Sequence, residues 1–123
     1  MLVKLLKSKL HNATVTAVRL HYQGSLAVDR SLMEAADLLP YEAVIVADVT
    51  RGSRVQTYVI PARAGSGKIE VLGAAAQLIR SKDIVIILNF AFYTRDEAKK
   101  HKPRIVILGK NNKIKSLGRR KNV

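Results

Sequence analysis

A glycine followed by a serine, Gly24-Ser25, is the place in this chain where residue types could remake a covalent bond. Glycine tolerates strained dihedrals and leaves its carbonyl open to approach. The serine hydroxyl sits one carbon from the backbone and can attack that carbonyl if the turn holds it there. The product is an ester, an N-to-O acyl shift. Elimination across Ser25 and hydrolysis would then leave a new chain end bearing a ketone, a pyruvoyl group. On the dipeptide alone the default is a solvated hairpin connection, because such dipeptides are common in turns. The surrounding His21-Tyr22-Gln23-Gly24-Ser25 holds no metal-ligand set, no phosphate loop and no catalytic triad.

The elements around this bond read as strands. Leu2 to Leu10 mixes apolar residues with Lys4, Lys7 and Lys9, and Asn12 reads as a turn. Ala13 to His21 alternates as a strand, and Ser25 to Asp29 resumes as a short one after the Gln23-Gly24 turn. Ser31 with Glu34 three residues on has the form of a capping box. The helix it opens is expected to run through Leu38 and stop before Pro40. Ala43 to Ala47, Val55 to Ile60 closed by Pro61, Lys68 to Leu72, Ile84 to Phe92 and Arg104 to Leu108 complete the strands. Gly73-Ala74-Ala75-Ala76-Gln77 could open a helix whose small residues let a ligand approach backbone N–H groups. Thr94 to Lys100 reads as a helical turn. Short strands with turn signals about every ten residues argue for one small barrel rather than a sandwich.

Composition narrows the class. A chain of 123 residues with 48% hydrophobic and 25% charged residues fits one globular domain with its own core. Cysteine is absent, which excludes disulfides and thiol chemistry and makes a reducing cytoplasm the simplest home. Lysines interrupt the apolar N-terminus, so no export signal is expected. Ile84 to Phe92 is too short to span a bilayer. The net charge of +13 is uneven: residues 1–94 carry +4 and residues 95–123 carry +9. The end, from Lys110 to Lys121, is read as a frayed basic tail. Such a tail can touch nucleic acid or anionic lipid nonspecifically. It has no aromatic residue for base stacking, so no specific nucleic acid is expected.

Taken in order and spacing around Gly24-Ser25, the segments Lys9-Leu10-His11, Leu20 to Ser25, Arg51-Gly52-Ser53-Arg54, Thr57-Tyr58, Gly73 to Ala76 and Asp83 to Ile87 resemble the pyruvoyl-dependent aspartate 1-decarboxylases. The resemblance covers residues 1–108, with 109–123 left as the tail. It implies a mainly β fold, a double-psi β-barrel with short helices, assembled as a homotetramer with sites between subunits. It implies cleavage into a β chain, 1–24, and an α chain starting at a pyruvoyl group made from Ser25. That cofactor would form a Schiff base with L-aspartate and accept the electron pair left by departing CO2. The product, β-alanine, would serve pantothenate synthesis in the cytoplasm. By the same resemblance Tyr58 is the proton donor, and Thr57 contacts substrate and assists processing at Gly24 and Ser25. Lys9 and Arg54 hold the carboxylates, and the N–H groups of Gly73, Ala74 and Ala75 bind substrate or an oxyanion. His11 and Tyr22 are secondary members of the pocket. No metal is implied.

Three positions depart from the family's usual pattern. Leu72 replaces a common asparagine, Ala47 a common large aromatic and Asp48 a common asparagine. They bear on processing, substrate fit and the need for a maturation factor, which the sequence leaves open. Two other readings stand beside the enzyme: a small basic β-barrel that binds nucleic acid, motivated by charge alone, and a family member that no longer processes because of Leu72.

Overall fold

The structure is a computed structural model that describes residues 1–119. Nine strands form one sheet in the order β2-β6-β3-β5-β4-β7-β1-β8-β9. They are β1 (Leu2–Thr14), β2 (Ala17–Arg19), β3 (Ser25–Asp29), β4 (Ala43–Asp48), β5 (Arg54–Ala62), β6 (Ile69–Leu72), β7 (Ile84–Thr94), β8 (Arg104–Leu108) and β9 (Ile114–Arg119). Only Val15 and Thr16 separate β1 from β2, yet these strands lie far apart in that order. The three steps from Thr14 to Ala17 span at most about 11 Å. The sheet must therefore curl until its β2 edge comes back to β1, which makes it barrel-like. The joint is pinned where it closes: Thr16 exchanges backbone and hydroxyl hydrogen bonds with Ile69 on β6, and Val15 N–H donates to the Asp83 carbonyl before β7. One core fills the interior, with Leu10, Leu26, Val28, Val46, Val59, Ile69, Val71, Val85, Ile87 and Val106 among its members.

Several expected boundaries move, each for a local reason. Asn12 does not end a strand. It takes φ 68° inside β1, where the pairing with β7 shifts register between Leu10 and Ala13. Asparagine tolerates that left-handed backbone, so the same preference makes a bulge here instead of a turn. The alternating run to His21 survives only as β2, because Val15 and Thr16 serve as the closing joint. Pro61 lies inside β5 opposite Val28 of β3. The β4 pairing has already stopped at Tyr58, so that edge has no ladder bond for proline to remove.

Helix α1 (Arg30–Ala35) is capped by Asp29, not Ser31. The Asp29 carboxylate accepts from both the Ser31 N–H and the Ser31 hydroxyl, so the charged group two residues earlier takes the donor that a capping box would have used. The helix also ends before Leu38. Asp37 adopts φ 57°, its N–H reaches the Glu34 carbonyl, and the Leu38 N–H reaches Met33. This is a Schellman closure, and it stops the helix before Pro40 matters. Gly73–Gln77 is a 3₁₀ turn. Helix α2 (Arg95–Lys100) has the reciprocal Thr94–Glu97 capping box.

The basic tail is largely structured. Lys110–Asn112 form a 3₁₀ turn and Ile114–Arg119 form β9, which pairs with β8. The signal overlooked is Asn112, only 3% exposed. Its side chain bonds the Thr14 N–H, the Thr14 carbonyl and the Gly67 carbonyl. The final basic residues, Arg120 and Lys121, lie outside the described residues. No helix among the described residues is long and apolar enough to cross a membrane.

Candidate active site

Ser25 is the first residue of β3, a strand buried along its whole length between β5 and β6. β3 runs parallel to β5 with Leu26 opposite Val59. Continuing that register one step back places Ser25 level with Tyr58. β3 runs antiparallel to β6 with Ser25 opposite Leu72. Two ladders thus fix three residues around one point, and a cleft of about 320 Å³ opens there. It is lined by Tyr22, Gln23, Ser25, Tyr41, Tyr58, Ile60 and Leu72.

The Gly24–Ser25 bond approaches this cleft over the backbone of the 3₁₀ turn. A methyl group built on Gly73 would lie 2.7 Å from Gly24 Cα, 2.8 Å from Gly24 N and 2.8 Å from the Tyr22 carbonyl oxygen. Gly73 also holds φ 81°, where a side chain is strained. Only glycine lets residues 22–24 pass so close. On the Gly24 side nothing lies within 4 Å of where a Cβ would be. The bond is therefore pressed from one flank and open on the other. The first N–H groups of a 3₁₀ turn have no partner within it, and no side chain caps the turn at Leu72.

The aromatic wall is built from separate elements. Tyr58 and Ile60 project from the same face of β5, two residues apart. Tyr41 comes from the loop before β4, with φ 74° and its N–H bonded to the Val59 carbonyl at 2.7 Å. The Tyr41 and Tyr58 rings sit 6.2 Å apart. The Arg19 guanidinium lies 6.0 Å from the Tyr22 ring centroid, a cation–π contact that steadies an otherwise exposed aromatic. Tyr41 was not foreseen, because an aromatic after a proline in a loop has no periodicity to betray it.

Of the residues singled out from sequence, Gly24, Ser25, Tyr22, Tyr58 and Gly73 come together. Ala74 and Ala75 continue the 3₁₀ turn. Thr57 alternates to the barrel side of β5 with Val55 and Val59. Arg54 shares Tyr58's face of β5 but stands four residues away, about 13 Å along the strand. Lys9 and His11 lie on β1, whose neighbours are β7 and β8, and neither lines this cleft. The His11 Nδ1 is buried without a hydrogen-bond partner. Burial, and then the Lys9 charge, hold the His11 pKa below its ordinary value. Among the described residues no cluster of three or more His, Cys, Asp or Glu is placed to hold a metal ion.

Comparison with known proteins agrees on one family. The aspartate decarboxylase family model matches residues 1–115. The chain is 50% identical over 111 residues to the aspartate 1-decarboxylase of Syntrophus aciditrophicus, covering 90% of this chain and 96% of that protein. It is 45% identical over 117 residues to the aspartate 1-decarboxylase of Clostridium beijerinckii, covering 95% and 94%.

Proposed function

The chain belongs to the aspartate decarboxylase family and removes the α-carboxylate of L-aspartate as CO2 to give β-alanine, and we propose that it does so with a pyruvoyl group made from its own Ser25. The observation that carries the proposal is the Gly24–Ser25 bond at the mouth of a cleft, pressed against Gly73 and open on its other side. These residues fit the group. The Ser25 Oγ attacks the Gly24 carbonyl carbon, the C–N bond breaks, and the acyl group rests on oxygen. Loss of the Ser25 α-proton then expels the Gly24 carboxylate. Water converts the remaining enamine to a ketone with release of ammonia. When present, that ketone supplies an electron sink for the bond to the departing carboxylate.

The rest is the work of side chains. Tyr58, level with Ser25, is the phenol that delivers a proton to the substrate's α-carbon. Thr57, one residue before it, assists processing. The N–H groups of Gly73, Ala74 and Ala75 are the donors assigned in this reading to the acyl oxygen and the substrate. Tyr22, Tyr41, Ile60 and Leu72 exclude water and shape the cleft. The two carboxylates of aspartate require cations, and the cleft of a single chain has none in its lining. Lys9 and Arg54 meet this need in a homotetramer whose sites lie between subunits. A neighbouring copy then completes the cleft, and His11 with its unpartnered nitrogen is buried there too. The barrel is of the double-psi type, and the enzyme works in the cytoplasm in pantothenate synthesis.

Denaturing mass spectrometry of purified protein tests the cofactor. Two fragments meeting at 24/25 are expected, the larger blocked to Edman chemistry. Ser25→Ala should remain one polypeptide and make no β-alanine; an active, uncut Ser25→Ala protein would remove the pyruvoyl reading. Leu72 opposite Ser25 favours one further possibility, slow or absent cleavage, since leucine offers no polar contact to the shifting acyl group. Leu72→Asn should then speed cleavage, and an unchanged rate would dismiss it.

A further inference from the structure

Outside the cleft lining, two acids are buried together. Asp48 ends β4 and Asp83 precedes β7, and each is 3% exposed. Arg51 touches both: its N–H donates to Asp48 Oδ1 at 2.9 Å and its Nε–H donates to Asp83 Oδ2 at 2.9 Å. Asp83 Oδ2 also accepts from the Arg80 N–H at 3.0 Å. Asp48 Oδ2 is buried and has no donor. Two buried carboxylates gathered on one residue, Asp48 by the Arg51 backbone N–H and Asp83 by its guanidinium, cannot both stay charged cheaply, and the unpartnered Asp48 Oδ2 is the atom that a proton would occupy. The remaining neighbours bring no further acid. Val15 and Thr16 bond the loop from the β1–β2 joint, and Thr50 and Ile84 pair across the turn. Arg80 and Lys82 on the same loop are exposed.

The place of this pair gives it a consequence. Asp48 organises the turn that leads into Arg54: its N–H donates to the Ser53 carbonyl, and its carbonyl accepts from Gly52. The Ser53 hydroxyl donates to the Leu78 carbonyl, just beyond the 3₁₀ turn that starts at Gly73. Asp83 holds the loop leaving that same turn through Arg80.

We propose that Asp48 and Asp83 share one proton and together act as a positioning pair, locking the turn before Arg54, which serves a neighbouring copy's cleft, to the loop after Gly73–Gln77, which serves this chain's own, so that the two substrate-holding segments keep one spacing in the assembly. This rests on the reading that those segments bind aspartate. The proton lies on Asp48 Oδ2 and is donated to the Asp83 carboxylate, which Arg51 and the Arg80 N–H keep ionised. In agreement, burial and then the Asp83 contact hold the Asp48 pKa above its ordinary value. For Asp83 burial acts upward but is outweighed by the bonds from Asp48, Arg80 and Arg51, so its pKa is lowered. The sign follows. A carboxyl with a raised folded pKa gives stability that is full at low pH and lost as pH rises through that value. Asp83 gives stability that is lost as pH falls through its lowered value. The lock is therefore best between the two and loosens on the alkaline side.

The test uses matured wild-type enzyme and Asp48→Asn, whose amide is a permanent donor in place of the proton. In protein carrying 13C-labelled aspartate, infrared titration should reveal a carboxyl that stays protonated above the ordinary aspartate range, absent from the variant. The KM for aspartate in wild type should rise several-fold as that band disappears, with kcat little changed, while the variant's KM stays flat. No protonated carboxyl above that range, or the same KM profile in both proteins, would overturn the proposal. The infrared arm needs no activity, so an inactive wild type would sink the aspartate reading and leave the shared proton to be judged on its own.

Discussion

Substitution at Gly73 separates backbone fit from chemistry at the scale of one methyl group. Alanine would place a carbon 2.7 Å from Gly24 Cα and force a side chain into φ 81°. The left-handed conformation alone costs about 1–2 kcal/mol. The clash must be relieved by moving residues 22–24, the segment about to react. Gly73→Ala should therefore slow cleavage at 24/25 at least about tenfold, the change that about 1.4 kcal/mol produces in a rate. A time course of fragment formation checks this, and Ala74→Gly serves as the control expected to cleave normally. Gly24, Ser25 and Gly73 could be singled out from residue type, because each carries its own chemistry or its own freedom, and Tyr58 through the family resemblance; the fold brings the four together. Tyr41 and Ile60 were not singled out, since they enter the cleft by position alone. Lys9 and Arg54 were named for their charge, and one chain's fold leaves them outside the cleft it forms.

Among the elements, β3 and α1 depend on one carboxylate. Asp29 is 3% exposed and accepts from the Ser31 N–H and hydroxyl, the Gly65 N–H at 3.0 Å and the Gly67 N–H at 2.8 Å. It caps the helix and ties the loop before β6 to the end of β3. Burial raises its pKa, but these four bonds outweigh burial and the net shift is downward. A depressed carboxyl contributes stability that is present above its unfolded pKa of about 3.9 and lost as pH falls through the folded value. Asp29→Ala leaves buried donors unmatched and should cost at least about 2 kcal/mol. It should also flatten the acid side of the stability curve, measured by thermal melts between pH 3 and 7. A parallel melt curve for wild type and variant would show that the carboxylate is not the hub. Strand identities were legible because alternation marks them. The boundaries were set by competitors that alternation does not encode: a charged acceptor at 29, a left-handed Asp37 and a bulge at Asn12.

At the scale of the molecule, the sheet closes through a two-residue joint, and the far end of the chain helps hold that joint shut. Asn112 reaches back to Thr14, immediately before the joint, and to Gly67, two residues before β6. Both it and Asn111 take positive φ, 57° and 59°, which asparagine accepts more readily than most residues. Charge counting treated this region as solvent-exposed because lysines dominate it, and one asparagine among them decides otherwise. The basic charge and the buried amide should therefore separate in experiment. Asn112→Ala removes three hydrogen bonds at a buried position and should lower stability by about 1–3 kcal/mol, a fall in Tm of roughly 3–18 °C. Replacing exposed Lys113 and Lys115 by glutamine should leave Tm and decarboxylation nearly unchanged while reducing any salt-sensitive binding to polyanions. If the lysine changes unfold the protein and the asparagine change does not, then charge rather than the amide staples the C-terminal strand, and closure of the barrel must be explained without Asn112.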